Sequence, residues 1–227
     1  LQEKQEITCE NAKTLDLSSI LADPDPYAVK PRIHVQERND WEADEPLDPQ
    51  LLEDAAAAIE GKAKFQGEYS IRNIHRTVGG RVAGRIAQLH GDIGLPEGSI
   101  QLRFKGTAGQ SFGAWCINGL RLILVGQAND YVGKGMHGGE IIIRPSEEAK
   151  FEWDKNVIIG NTVMYGATGG TLYSAGRAGE RFCVRNSGAN AVIEGAGDHF
   201  LEYMTGGCVV SLGEVGRNAA AGMTGGF

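Results

Sequence analysis

The chain has 227 residues, 41% of them hydrophobic but only 7% aromatic, and a formal net charge of −7. That length holds one ordinary core, or one core plus an extended arm, and the core has to be built from small aliphatic side chains. The acidic balance, without a basic cluster longer than a dipeptide, argues against nucleic-acid and anionic-membrane binding, and no apolar run nears the roughly 20 residues of a membrane span.

Residues 1 to about 70 are polar, acidic and poor in glycine, and they hold five of the seven prolines. The stretch Ala22 to Pro26, Lys30-Pro31 and Glu45-Pro46 reads as an extended arm, since proline disfavours helix at the residue before it. One short helix is expected near 49–60. Asp48 is its N-cap, Pro49 its first residue, Leu51 to Ile59 its body and Gly61 its stop. The run Ala55 to Ala58 gives it a small flat face suited to docking on another domain. A second helix is expected from Val78 to His90, with Val82, Ile86 and Leu89 on one stripe. Strands follow at Ile100 to Phe104 and Leu120 to Val125. The polar start, Leu1 to Lys13, resembles neither a signal nor a transit peptide. The missing initiator Met suggests a processed chain or an excised fragment.

From Gly126 onward the chain carries 21 of its 33 glycines. Gly160, Gly179, Gly197 and Gly216 are spaced 19, 18 and 19 apart, and Gly169, Gly188, Gly207 and Gly226 by 19 throughout. Apolar residues keep the same step: Val163, Phe182 and Leu201 form one column, and Leu172, Ala191 and Val210 another. Short β segments between glycines at this period predict coils stacked at about 4.8 Å, each inner side chain covered by the next coil. Glycine serves the corners, through positive φ or close backbone approach. The expected fold class is therefore all-β: a single-stranded right-handed parallel β-helix over 71–227, preceded by the arm with one or two short helices. The chain stops at Phe227 inside a repeat, which predicts that native chain or a partner continues past it.

Several motifs have a chemical and a structural reading. Gly133 to Gly138 matches G-x-G-x-x-G. Dinucleotide binding requires a helix next, and Gly139 to Ile143 reads as a strand. Gly79 to Ile86 lacks the Lys and Ser/Thr of a phosphate loop, and Gly195 to His199 is a single copy of a calcium-type turn. The four cysteines, Cys9, Cys116, Cys183 and Cys208, show no metal-ligand spacing and read as reduced thiols of a cytoplasmic-type protein. Neither paired histidines nor a G-x-S-x-G elbow is present. Glu180 and Asp198 are one period apart, with Arg177, Arg181, Arg185 and Arg217 nearby. This allows a carbohydrate-active site or, more simply, charges pairing on the outer surface.

A run of further motifs carries a resemblance. Asn73-Ile-His-Arg-Thr-Val-Gly79, Gly106-Thr-Ala-Gly-Gln-Ser-Phe-Gly113, Ala128-Asn-Asp-Tyr-Val-Gly-Lys-Gly135, Tyr165-Gly-Ala-Thr-Gly-Gly170, Gly179-Glu-Arg-Phe-Cys-Val-Arg-Asn-Ser-Gly188, Glu202-Tyr-Met-Thr-Gly-Gly207 and Gly216 to Gly226 are similar to the C-terminal glycine-rich (GXGXG) domain of the glutamate synthase large subunit. The resemblance covers about 70 to 227. It implies a parent enzyme that makes two glutamates from glutamine, 2-oxoglutarate and a reductant. It also implies FMN and a 3Fe-4S cluster in other domains of that enzyme, and no cofactor, catalytic or metal residue in this chain. The implied role is a scaffold packing the amidotransferase and FMN-binding domains together. Implied partners are those domains and, through the parent enzyme, a small FAD/NADPH subunit or ferredoxin. A freestanding interaction subunit, as in formylmethanofuran dehydrogenase, is the alternative. Polar loop residues Gln110, Ser111, Asn129, Asp130, Lys134, Arg185 and Asn186 are the candidate interdomain contacts, because loops carry contacts on a rigid frame, or equally ladder-capping groups that satisfy backbone at the corners.

Overall fold

The computed structural model describes residues 16–31, 33 and 45–227. Cys9, His34 and the polar start Leu1 to Lys13 lie outside the described residues. Two compact units are present, Leu1–Ala43 and Asp44–Phe227. The described part of the first holds the helical turn α1 (Ser18–Leu21). It also holds a loop in which the Asp25 carboxylate accepts the backbone N–H groups of Val29 and Lys30 at 3.1 and 2.8 Å.

In the second unit, α2 (Asp48–Asp54) and α3 (Ala56–Ile59) lead into β1 (Phe65–Ile71), followed by α4 (Gly80–His90). Eight strands come after: β2 (Ile100–Ala108), β3 (Leu120–Ala128), β4 (His137–Arg144), β5 (Val157–Ile159), β6 (Gly169–Ser174), β7 (Arg177–Ala178), β8 (Ser187–Ile193) and β9 (Gly206–Ser211). They form one nine-stranded parallel sheet in the order β1-β2-β3-β4-β6-β8-β9, with β5 pairing β3 and β7 off that path. The architecture is thus a parallel α/β sheet and not the all-β right-handed β-helix expected from the glycine period.

The physical reason lies in the helices, which share the core with the strands. Leu51, Ala55, Ala58 and Ile59 from α2 and α3, and Val82, Ala83 and Ile86 from α4, are buried in the same cluster as Ile100, Leu102, Phe104, Leu120 and Leu122. A glycine period reports the spacing of paired residues and carries no information on how much helix completes the core. Ala55 and Ala58, read as a face for another domain, are buried within this unit. Leu89, placed on the α4 stripe, is 43% exposed, and Ala83 takes the inward position.

The ends of the helices show why they dock. Asp48 does not cap its own helix, whose N-cap position is Leu47. Its carboxylate accepts the N–H groups of Gly79 (3.1 Å) and Arg81 (2.9 Å) at the start of α4, where helix geometry leaves donors without partners. Asp48 is buried, and desolvation raises its pKa against the opposing pull of those N–H groups.

Strand registers carry the repeat. Leu102 pairs with Leu122, then Ile141, Leu172, Ala191 and Val209, making one continuous inward row. The step is 19 from Leu172 to Ala191 but 18 from Ala191 to Val209, because the register shifts between Ser187 and Asn190. The column drawn from the sequence therefore slipped by one residue at Val210, which is 43% exposed. The other column slips the same way. Phe182 stacks on Phe200 with ring centroids 5.9 Å apart, whereas Leu201 donates its N–H to the Phe182 carbonyl at 2.9 Å. From β4 to β6 the step is 31, as in Glu140 to Thr171, and the added chain carries the 3₁₀ turn Trp153–Lys155 and β5.

The expected corner glycines divide in two. Gly207 and Gly226 have positive φ, 94° and 97°. At Gly160, Gly179 and Gly216 a Cβ would strike the side chains of Asp130, Asn161 and Asp198. At Gly169 and Gly188 it would strike the carbonyls of His137 and Thr168, and at Gly197 it would press on Glu180.

Candidate interaction surface

Among the described residues are six five-residue turns between or after the strands, at 111–115, 131–135, 162–166, 181–185, 199–203 and 218–222. In each, the first, third and fifth residues are left-handed, with φ between 55° and 67°. Most of them are not glycine. A left-handed L-residue costs roughly 1–2 kcal/mol, so something must offset it. The third position points inward: Met164 and Cys183 are fully buried and Leu201 nearly so. The N–H groups of left-handed residues bond to neighbouring turns. Tyr131 donates to Asn161 O (2.9 Å), Thr162 to Glu180 O (2.8 Å), Arg181 to Asp198 O (2.8 Å) and Arg185 to Glu202 O (2.9 Å). Each such bond contributes about 0.5–1.5 kcal/mol net, comparable to the conformational cost.

A polar ladder runs along the entry to these turns. Asp130 Oδ1 accepts the N–H of Asn161 at 2.7 Å, Asn161 Oδ1 that of Glu180 at 2.8 Å, and Asp198 Oδ1 that of Arg217 at 2.8 Å. Gln110 reaches Asp130 Oδ2 at 3.5 Å, and Ser111 donates its N–H to the Asp130 carbonyl at 2.9 Å. Asn129 donates to the Ala108 carbonyl and accepts from Gly160. Gln110, Ser111 and Asp130 are therefore linked to one another, and Asn129 beside them bonds through its backbone. Asn186 is fully buried. Its Oδ1 accepts the N–H groups of Gly188 and Ala189 at 3.3 and 3.0 Å, and its Nδ2 donates to the Ala189 carbonyl at 2.9 Å.

Lys134 and Arg185 go elsewhere, onto a shallow groove of about 390 Å³ over the outer side of the turns. Lys134 Nζ lies 5.2 Å from the Tyr131 ring centroid, and the Arg185 guanidinium carbon 5.9 Å from that of Tyr203. Tyr165, Arg181 and Glu202 also line it. Arg181 was noted from the sequence only as a basic neighbour of Glu180 and Asp198, and Tyr131, Tyr165 and Tyr203 were not singled out as contacts. Tyr131 and Arg181 each open a turn and Tyr203 closes one, and the alternating left-handed pattern is invisible in residue types that normally avoid it.

The Asp198 carboxylate of the acid pair is taken up by Arg217: its Oδ2 receives Arg217 Nε at 3.1 Å and Nη2 at 2.8 Å, while Oδ1 holds the Arg217 N–H. These bonds lower its pKa below the ordinary 3.8. Among the described residues no group of three His, Cys, Asp or Glu side chains could hold a metal ion. The Gly133 to Gly138 motif opens strand β4 at His137, so no helix terminus follows it.

A family model described as "GXGXG motif" matches residues 48–227. The chain belongs to the GXGXG motif family. The GXGXG domain is also 58% identical over 183 residues to "Ferredoxin-dependent glutamate synthase 2" of Synechocystis sp., covering 80% of this chain and 12% of that protein. It is 56% identical over 183 residues to the chloroplastic "Ferredoxin-dependent glutamate synthase 2" of Arabidopsis thaliana, with 80% and 11% covered. It is 48% identical over 217 residues to "Glutamate synthase [NADPH] large chain" of Bacillus subtilis, with 95% and 14% covered. The chain spans about an eighth of the length of the curated relatives it matches. This is the GXGXG domain of the glutamate synthase type, and its relatives include both ferredoxin-named and NADPH-named enzymes. Among the described residues no helix is long and apolar enough to cross a membrane.

Proposed function

We propose that this GXGXG domain is a non-catalytic scaffold of a glutamate synthase, packing the amidotransferase and FMN-binding portions of the enzyme together. The observation that carries the reading is where its polar side chains are spent. Asp130, Asn161 and Asp198, polar side chains at the entry to the turns, hold backbone N–H groups of the next turn. Such groups stiffen a frame and leave little freedom to bind and turn over a substrate.

The 3Fe-4S cluster implied for the whole enzyme does not fit the residues described here. A cluster needs several clustered thiolates. The Cys116 thiol is buried against the Leu120 carbonyl at 3.6 Å, and burial pushes its pKa up to about 12. Cys183 is buried against the Met164 sulfur at 3.9 Å, with its pKa also raised by burial, and Cys208 is exposed. These cysteines support the reading that the cluster belongs to parts of the enzyme outside this chain.

The test is to supply the isolated chain with glutamine, 2-oxoglutarate and reduced methyl viologen and to measure glutamate. No turnover above buffer is expected. Turnover by this chain alone would remove the scaffold reading.

A further inference from the structure

We propose that the groove over turns 131–135, 162–166, 181–185 and 199–203 is a docking site for an acidic peptide segment. The inference deepens the scaffold reading, on which it rests, by naming the surface used and the chemistry of what it holds.

Charge gives the first argument. The chain carries 29 acidic and 22 basic residues, yet this groove gathers Lys134, Arg181 and Arg185 against the single carboxylate of Glu202. Glu202 Oε1 lies 3.6 Å from His199 Nδ1. Among the described residues, Lys134, Arg181 and Arg185 take part in no ion pair. The basic residues of the sheet behave differently: Arg103 and Lys105 face Glu68, and Arg121 meets Glu140 at 2.6 Å. Three cations left together in an acidic domain are complementary to carboxylates supplied by a partner.

Aromatic exposure gives the second. Tyr131 is 38% and Tyr203 52% exposed, and each has a cation over its ring. Tyrosine rings lining a groove beside arginine are the side chains that carry energy at protein interfaces.

The backbone decides the kind of ligand. Alternating left-handed residues can form N–H concavities that grip a phosphate or a lone anion. Here the left-handed N–H groups of Tyr131, Thr162, Gly166, Arg181, Arg185 and Tyr203 donate to carbonyls of neighbouring turns. Recognition therefore falls to side chains spread along a shallow groove, which suits carboxylates spaced along an extended peptide better than one compact anion.

The test uses the 227-residue chain, with poly-L-glutamate as the probe and poly-L-lysine and a (dT)12 oligonucleotide as comparisons, by isothermal titration at low salt. Poly-L-glutamate is expected to bind, with affinity falling as salt rises. The double variant Arg181→Glu/Arg185→Glu is expected to weaken it about tenfold or more. Lys134→Glu, which leaves the left-handed positions untouched, is expected to weaken it in the same direction with the melting temperature unchanged. Absence of poly-L-glutamate binding, equal binding by both variants, or tighter binding of (dT)12 overturns the proposal. Each of those results leaves the scaffold reading standing, since that fails on catalytic turnover alone.

Discussion

Asp130 accepts the backbone N–H of Asn161 at 2.7 Å across a gap of 31 residues, and Asn161 repeats the arrangement on Glu180 at 2.8 Å. The second step is 19 residues, so the same bond is kept although twelve additional residues intervene in the first. Removing a charged acceptor leaves a donor of the ladder unpaired, a loss of about 1–3 kcal/mol. Asp130→Ala is therefore expected to lower the unfolding free energy, read from urea denaturation, by that amount, and Asn161→Ala by less, since its acceptor is neutral. An unmoved midpoint in both variants shows that the ladder adds nothing to stability.

Gly126 and Gly166 both have positive φ, 151° and 63°, but their surroundings differ. A Cβ on Gly126 would run into the carbonyl of Gly106, whereas one on Gly166 meets open space. Gly166→Ala is expected to cost about 1 kcal/mol, the conformational term alone. Gly126→Ala should cost upward of about 3 kcal/mol, because backbone has to move. Equal denaturation midpoints for the two variants would contradict this.

Phe182 is fully buried and stacked on Phe200, while Leu89 on α4 is 43% exposed. Phe182→Ala is expected to destabilise the domain by about 3–5 kcal/mol. Leu89→Ala should stay within about 0.5 kcal/mol. Chemical denaturation of both proteins separates the true inner row from the stripe drawn on sequence spacing.

Two aspartates make opposite contributions to acid stability. Hydrogen bonds from Arg217 lower the Asp198 pKa below 3.8, so its stabilisation is present above that value and is lost as pH falls through the folded value. Burial raises the Asp48 pKa above 3.8, so between that value and the raised one stability from this group increases as pH falls. Melting curves from pH 7 to pH 2 should show a shallower acid loss for Asp198→Asn than for the unaltered chain. For Asp48→Asn the acid loss should be steeper. The Arg217 side chain is 87% exposed, so the first difference should shrink in high salt.

Much of this was legible in residue types. The spacing of Gly169 and Gly188 gives the 19-residue step seen between Leu172 and Ala191, and the apolar alternation at Ile100 to Phe104 falls within β2. The helix read at Val78 to His90 is α4, two residues shorter at its start. The fold class was not legible, because the helical residues around Leu51 and Ile86 are too few to dominate composition yet complete the core. Nor were the one-residue slips at Val209 and Phe200, since a register shift leaves no mark on hydrophobic pattern. The left-handed turns were hidden for a related reason: Arg181, Cys183 and Arg185 adopt that geometry through bonds to neighbouring turns, which local propensity does not contain.

Each strand on the main path after β2 pairs with its predecessor at 18 to 32 residues, and the path keeps chain order throughout. Closing a loop costs entropy that grows only with the logarithm of its length. The penalty for adding each successive strand is thus nearly constant, even across the longer β4 to β6 excursion. Assembly can advance like a zip from a formed pair without gathering distant ends of the chain first, and lengthening that one excursion should slow it very little.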